Sequence, residues 1–162
     1  MNQAPQINIF FSAEEIFWGV VLVAFTMLMH GYGMLLVLRV ATFLGIRVRR
    51  SRSPTLSVAR LILVSWMIMF LHLFEVFIWA LFFYFSGGIP DASNAYYFAL
   101  GEYTTLGSAF NLPFHWRLLE GMTSIAGLLT FAWSTGVLLT LAQEFQDRQL
   151  EFLLKRNKKS HS

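Results

Sequence analysis

Apolar residues fill three long stretches of this chain, separated by short polar segments rich in Gly, Pro and Arg. The first stretch predicts a helix from about Glu14 to Leu44, with Glu14 and Glu15 placed to complement the positive N-terminal end of that helix. A basic loop from Gly45 to Ser53 follows. Ser53 and Pro54 then make a helix start, Ser as N-cap and Pro at the first helical position, for a second helix reaching about Phe85. Ser86-Gly87-Gly88-Ile89-Pro90 breaks that helix, and Asp91 or Ser93 can cap a new one. This one ends near Tyr103, so at roughly 12 residues and ~18 Å it spans half a bilayer. A polar turn over Thr104 to Ala109 and the connection Phe110-Asn111-Leu112-Pro113 lead to a third long helix, from about Phe114 to Gln143 or beyond.

Composition sets the class. Hydrophobic residues make up 56% of the 162 and charged residues only 13%, against roughly 25% charged in soluble domains, so the pattern is that of an integral membrane protein. Three spanning helices are too few to enclose a pathway, which makes an oligomer the expectation for any transport role. With no cysteine, disulfides and thiol chemistry are excluded. The first residues carry no Lys or Arg and so lack the charged start of a signal peptide. Arg39, Arg47, Arg49, Arg50, Arg52 and Arg60 lie at the first connection, and Arg148, Lys155, Arg156, Lys158 and Lys159 in the tail, whereas Arg117 alone falls on the other side. Retention of cations on the cytoplasmic side then places the N-terminus outside and the C-terminus inside, which in a bacterium would be at the inner (plasma) membrane. The same cations are accounted for by topology and anionic lipid, with no need for nucleic acid.

The polar turn carries the most information, because irregular backbone at membrane depth is tolerated only where protein or water surrounds it. Tyr96-Tyr97-Phe98, then Thr104-Thr105-Leu106-Gly107, then Pro113 with Trp116-Arg117-Leu118, and finally Ala126-Gly127, Phe131 and Thr135 follow in order. Over residues about 58 to 145 this set resembles the pore-loop module of the potassium-channel superfamily, with Thr-Thr-Leu-Gly where the family has Thr-Thr-Val-Gly. The resemblance implies an all-α membrane fold: three transmembrane helices plus a re-entrant pore helix and filter loop per subunit, assembled as a homotetramer. It divides the chain into an extracytoplasmic tail (1–13), an extra transmembrane helix (14–44), a basic cytoplasmic loop (45–53), the pore module (54–145) and a basic cytoplasmic tail (146–162). It also implies a selectivity filter at Thr104, Thr105, Leu106, Gly107, Ser108 and Ala109, and a gating hinge at Gly127.

A filter needs backbone carbonyls and a threonine hydroxyl that replace the water an ion sheds. Thr105, Leu106 and Gly107 can supply them. Turning successive carbonyls inward requires alternating backbone handedness; where the family has Gly-Tyr-Gly, this chain has Gly107-Ser108-Ala109, which puts the expected strain at Ala109 and implies a shortened or more permissive filter. Glu102, behind the filter, either anchors filter amides or senses ions and protons. Arg117 and Glu120 are spaced as an i,i+3 ion pair at the start of the third long helix. Small and hydroxyl residues on that helix, Ser124, Gly127, Thr130, Ser134, Thr135 and Gly136, suit close packing or a hinged, hydroxyl-lined cavity.

Intramembrane ionisable residues form a second cluster: His30 in the first helix, with His72 and Glu75 sharing a face of the second. Their simplest role is an interhelical hydrogen-bond clasp, the alternative a zinc or proton-sensing site. No arginine-periodic voltage sensor, nucleophile and base pair or phosphate loop is present. The expected function is therefore non-enzymatic: a cofactor-free, pore-forming subunit passing potassium or sodium, with monovalent cations in the filter and membrane lipids around it. A non-conducting membrane scaffold or assembly protein on the same fold is the alternative.

Overall fold

In the computed structural model, which describes residues 13–51 and 54–160, four α-helices and one 3-10 turn make up the regular structure: α1 (Ala13–Ser51), α2 (Pro54–Phe85), α3 (Ala92–Tyr103), the 3-10 turn Phe114–Trp116 and α4 (Leu118–Ser160). Three segments are long and apolar enough to cross a membrane, Ala13–Ile46, Thr55–Phe85 and Phe114–Glu151. The tail Met1–Ser12, the Ser53 cap and Arg52 lie outside the described residues.

Each long helix buries one stripe. On α1 it is Glu15, Gly19, Leu22, Thr26, His30, Met34, Val37, Ala41 and Gly45, at steps of three and four. On α4 the stripe includes Leu119, Thr123, Ala126, Thr130, Ser134 and Leu141. The opposite faces carry exposed Leu, Phe, Val, Ile and Trp, which fits helices surrounded by lipid or by other subunits rather than water.

The chain forms two packed units. The first, Met1–Thr26 with Val76–Leu128, is built around Trp79, Phe83, Phe98, Tyr103, Trp116 and Leu119. Helix α3 joins it through Ala95, Phe98, Ala99 and Tyr103, a single helical face. Phe98 meets Phe83 edge to face at 5.1 Å and Phe82 meets Trp116 at 5.5 Å. The Trp79 Nε1–H donates to Thr26 Oγ1 at 3.0 Å, tying α2 to α1. The second unit, Met27–Glu75 with Leu129–Ser162, packs Met34, Val37, Ala41, Val64, Ile68 and Leu141 together. There Arg60 pairs with Glu144 at 3.2 Å.

Several boundaries differ from expectation. Helix α1 does not stop at Leu44 but continues to Ser51, which removes most of the expected loop: arginine is a good helix former and a single Gly at position 45 does not end a helix. Helix α4 likewise runs through the expected tail to Ser160, in a sequence of Gln, Glu, Leu and Lys without Gly or Pro after Gly136. Asp91, not Ser93, caps α3, accepting the Ser93 N–H at 3.2 Å. Glu15 was expected to serve its own helix; it is buried and accepts the backbone N–H of Leu118, the first residue of α4. The orphan amides of a helix start favour a carboxylate wherever it comes from, and α4 has no capping side chain of its own directly before it.

Candidate functional site

The turn after α3 closes on its own helix. The Thr105 N–H donates to the Glu102 carbonyl at 3.0 Å and the Leu106 N–H to the Gly101 carbonyl at 2.9 Å, with the Gly107 N–H reaching the same Gly101 carbonyl at 3.2 Å. The first two are the paired bonds of a Schellman C-cap, whose next residue adopts the left-handed region and is usually glycine. Here that residue is Thr105, at φ +63°, a costly conformation for a β-branched side chain, at ~1–2 kcal/mol. Gly107 follows at φ +76°. Handedness therefore alternates at Thr105 and Gly107, not at Ala109 where the sequence placed the strain. The helix cap sets the first reversal, and this constraint is local to α3.

Thr105, Leu106 and Gly107 are exposed, Leu106 at 85%. The parts behind them are tightly fitted. A Cβ on Gly101 would lie 2.7 Å from the Gly107 carbonyl oxygen and 3.4 Å from its carbon, so that carbonyl is directed back at α3. A Cβ on Gly127 would lie 1.9 Å from the Tyr103 carbonyl oxygen. Ser124 Oγ donates to the Glu102 carbonyl at 2.8 Å. The C-terminal end of α3 is thus seated on α4 through a hydroxyl and a glycine gap. Helix α4 passes Gly127 unbroken, and the glycine's visible role is close approach of two backbones.

Glu102 is half-buried, and its carboxyl is held above its ordinary value of 4.5 by burial first and the nearby negative charge of Glu120 second, with a hydrogen bond from the Ser108 backbone pulling the other way. That bond is the anchoring of a turn amide expected from the sequence. The folded protein holds this proton more tightly than the unfolded chain, so the associated stability is complete below about pH 4.5 and is lost as pH rises through the folded value. Glu102→Gln is expected to lose less thermal stability than the unsubstituted protein between about pH 4.5 and neutrality. Parallel melting curves in detergent at the two pH values check this, and equal losses would refute it.

Arg117 and Glu120 do not form the expected pair among the described residues. Arg117 follows the 3-10 turn in helical backbone conformation and its carbonyl accepts the Glu120 N–H at 3.3 Å, but the Glu120 side chain is engaged elsewhere, Oε1 accepting the Leu112 N–H at 3.0 Å.

In the second unit the structure brings His30, His72 and Glu75 together and adds Ser134 of α4. His30 Nδ1 lies 2.9 Å from Glu75 Oε1, and His72 Nδ1 3.4 Å from Oε2. On the far side of the rings, Ser134 Oγ is 3.1 Å from His72 Nε2 and 3.2 Å from His30 Nε2. The four side chains close a ring, all buried, with the His72 imidazole stacked on Phe131 at 4.3 Å. Three helices are joined through polar groups at one level, as a clasp requires. Ser134 was legible in the sequence only as a small residue four positions after Thr130 on the buried stripe; nothing distinguished it from Thr135, whose hydroxyl simply bonds the Phe131 carbonyl on the exposed side.

No family model, curated protein or solved structure matches this chain.

Proposed function

We propose that this chain is a pore-forming subunit of a cation channel, assembled as a homotetramer with its N-terminus outside and its C-terminus in the cytoplasm. The turn from Thr104 to Ala109 lines the ion path in this reading. The observation that supports it is the exposed Thr105-Leu106-Gly107 segment, with its two reversals of backbone handedness and a rigid support behind it. Polar backbone of this kind is admissible in a membrane only beside water or protein, and a symmetric ring of turns supplies both. Permeant potassium or sodium would meet the Thr105 hydroxyl and the carbonyls of the turn. With Gly107 turned toward Gly101, fewer carbonyl rings face the axis than in a four-site filter, so weak discrimination between the two ions is expected.

One observation favours a second reading, a non-conducting membrane scaffold. The amides of Thr105, Leu106 and Gly107 all bond to carbonyls of α3, so the turn is a satisfied helix cap without any ion. Mass measurement in detergent and cation flux in reconstituted liposomes separate the two: a tetramer with flux supports the channel, whereas a tetramer silent at every pH and voltage supports the scaffold.

A further inference from the structure

The ring of His30, Glu75, His72 and Ser134 has an internal polarity. Besides the two imidazoles, the Ser134 hydroxyl meets a third group, donating to the Met34 sulfur at 3.9 Å. A hydroxyl gives one proton and receives through two lone pairs. With its proton directed at Met34, Ser134 accepts from both Nε2–H groups, and in two neutral imidazoles each Nδ1 then carries a lone pair. Both Nδ1 atoms face the Glu75 carboxylate, at 2.9 and 3.4 Å. Three electron-pair donors then confront one another at a site where His30 and Glu75 are 0% exposed and His72 7%. A cation held among them would stabilise such a set.

We propose that the cation is a divalent transition metal of the zinc class, held by Nδ1 of His30, Nδ1 of His72 and the Glu75 carboxylate. The donor types are those zinc takes, nitrogen and carboxylate oxygen, and one ligand atom from each of the three residues lies within 4.8 Å of the others. The two measured separations bracket the ~3.3 Å edge of a tetrahedron with bonds of ~2.0–2.1 Å. Ser134 fixes both rings from behind, the role that hydrogen-bond acceptors on the distal nitrogen play at metal-bound histidines. Charge does not oppose this: a divalent ion with one carboxylate and two neutral imidazoles carries the same net charge as two imidazolium rings around that carboxylate. The competing arrangement has Ser134 giving its proton to one imidazole, so that four protons close a neutral ring and no metal is held. The metal would staple α1 to α2, with α4 positioned behind it, whether or not the protein conducts.

The test uses the full chain, produced in zinc- or cobalt-supplemented medium so that metal can enter as the helices assemble. After desalting in detergent, about one metal per chain is expected, with a visible absorption band from low-symmetry cobalt and a lower melting temperature once a strong chelator has removed it. His72→Gln should lose the metal and the band, whereas substitution of the exposed His115 (His115→Gln) should keep both. Ser134→Ala should weaken cobalt binding about 10- to 100-fold while keeping the band. Absence of metal and of the cobalt band in the unsubstituted protein overturns the proposal in favour of the proton-closed ring, even if His72→Gln fails to fold. Metal retained unchanged in a folded His72→Gln protein overturns it as adventitious binding.

Discussion

Gly127→Ala is expected to destabilise the protein by ~3 kcal/mol or more. The added methyl would sit 1.9 Å from the Tyr103 carbonyl oxygen and 2.9 Å from its carbon, and these are backbone atoms at the capped end of α3 that cannot rotate aside as a side chain could. Relief requires α3 and α4 to separate, which also stretches the 2.8 Å bond from Ser124 to the Glu102 carbonyl. Two other glycines of α4 provide the contrast. Nothing lies within 4 Å of a Cβ at Gly121 or Gly136, so Gly121→Ala and Gly136→Ala should be neutral or gain up to ~1 kcal/mol from helix propensity. Thermal unfolding of the three variants in one detergent checks the ordering. A Gly127→Ala protein as stable as the Gly121→Ala protein would show that the two backbones are not in contact. The substitution consequently reports on packing first, and a change in opening caused by it would not establish a hinge.

Glu75→Leu, measured with chelator present, is expected to cost roughly 1–3 kcal/mol for each hydrogen bond lost, because it leaves two buried imidazoles facing an apolar side chain. Replacing all three groups together, His30→Leu, His72→Leu and Glu75→Leu, should recover most of that loss, since replacing every partner of a buried hydrogen-bonded cluster by apolar groups of similar shape is often nearly neutral. The comparison measures how much of the clasp is mutual dependence and how much is net stabilisation. If the triple variant is worse than Glu75→Leu alone, the cluster contributes net stability and the expectation fails.

The elements themselves could be read from the chain. Pro54 and Phe85 bound α2 at the expected places, and the interruption at Ser86 to Pro90 and the short α3 follow from Gly, Pro and a capping Asp. What could not be read were ends set by the absence of a stop signal: arginines after Gly45 and the polar residues after Gln143 are helix formers, so solvation alone did not end α1 or α4. His30, His72 and Glu75 announced themselves as ionisable residues within apolar runs. Ser134 did not, because a hydroxyl in a membrane helix more often bonds the carbonyl four residues back, as Thr123, Thr135 and Thr140 do. In the turn, composition located the segment but misplaced the strain: Gly107 does take the left-handed region, whereas the other reversal falls on Thr105, a residue type that almost never signals it. Only the geometry of the helix cap, with amides of three successive residues returning to Gly101 and Glu102, specifies that position.

Cation flux through the purified protein in liposomes tests the central claim most directly. With a potassium gradient and a matched sodium control, ion-dependent flux of both cations is expected, with at most a modest preference for potassium and a marked reduction in Thr105→Ala. A protein that reconstitutes as a stable tetramer yet passes neither cation above the level of empty liposomes, at any pH or voltage applied, would contradict it.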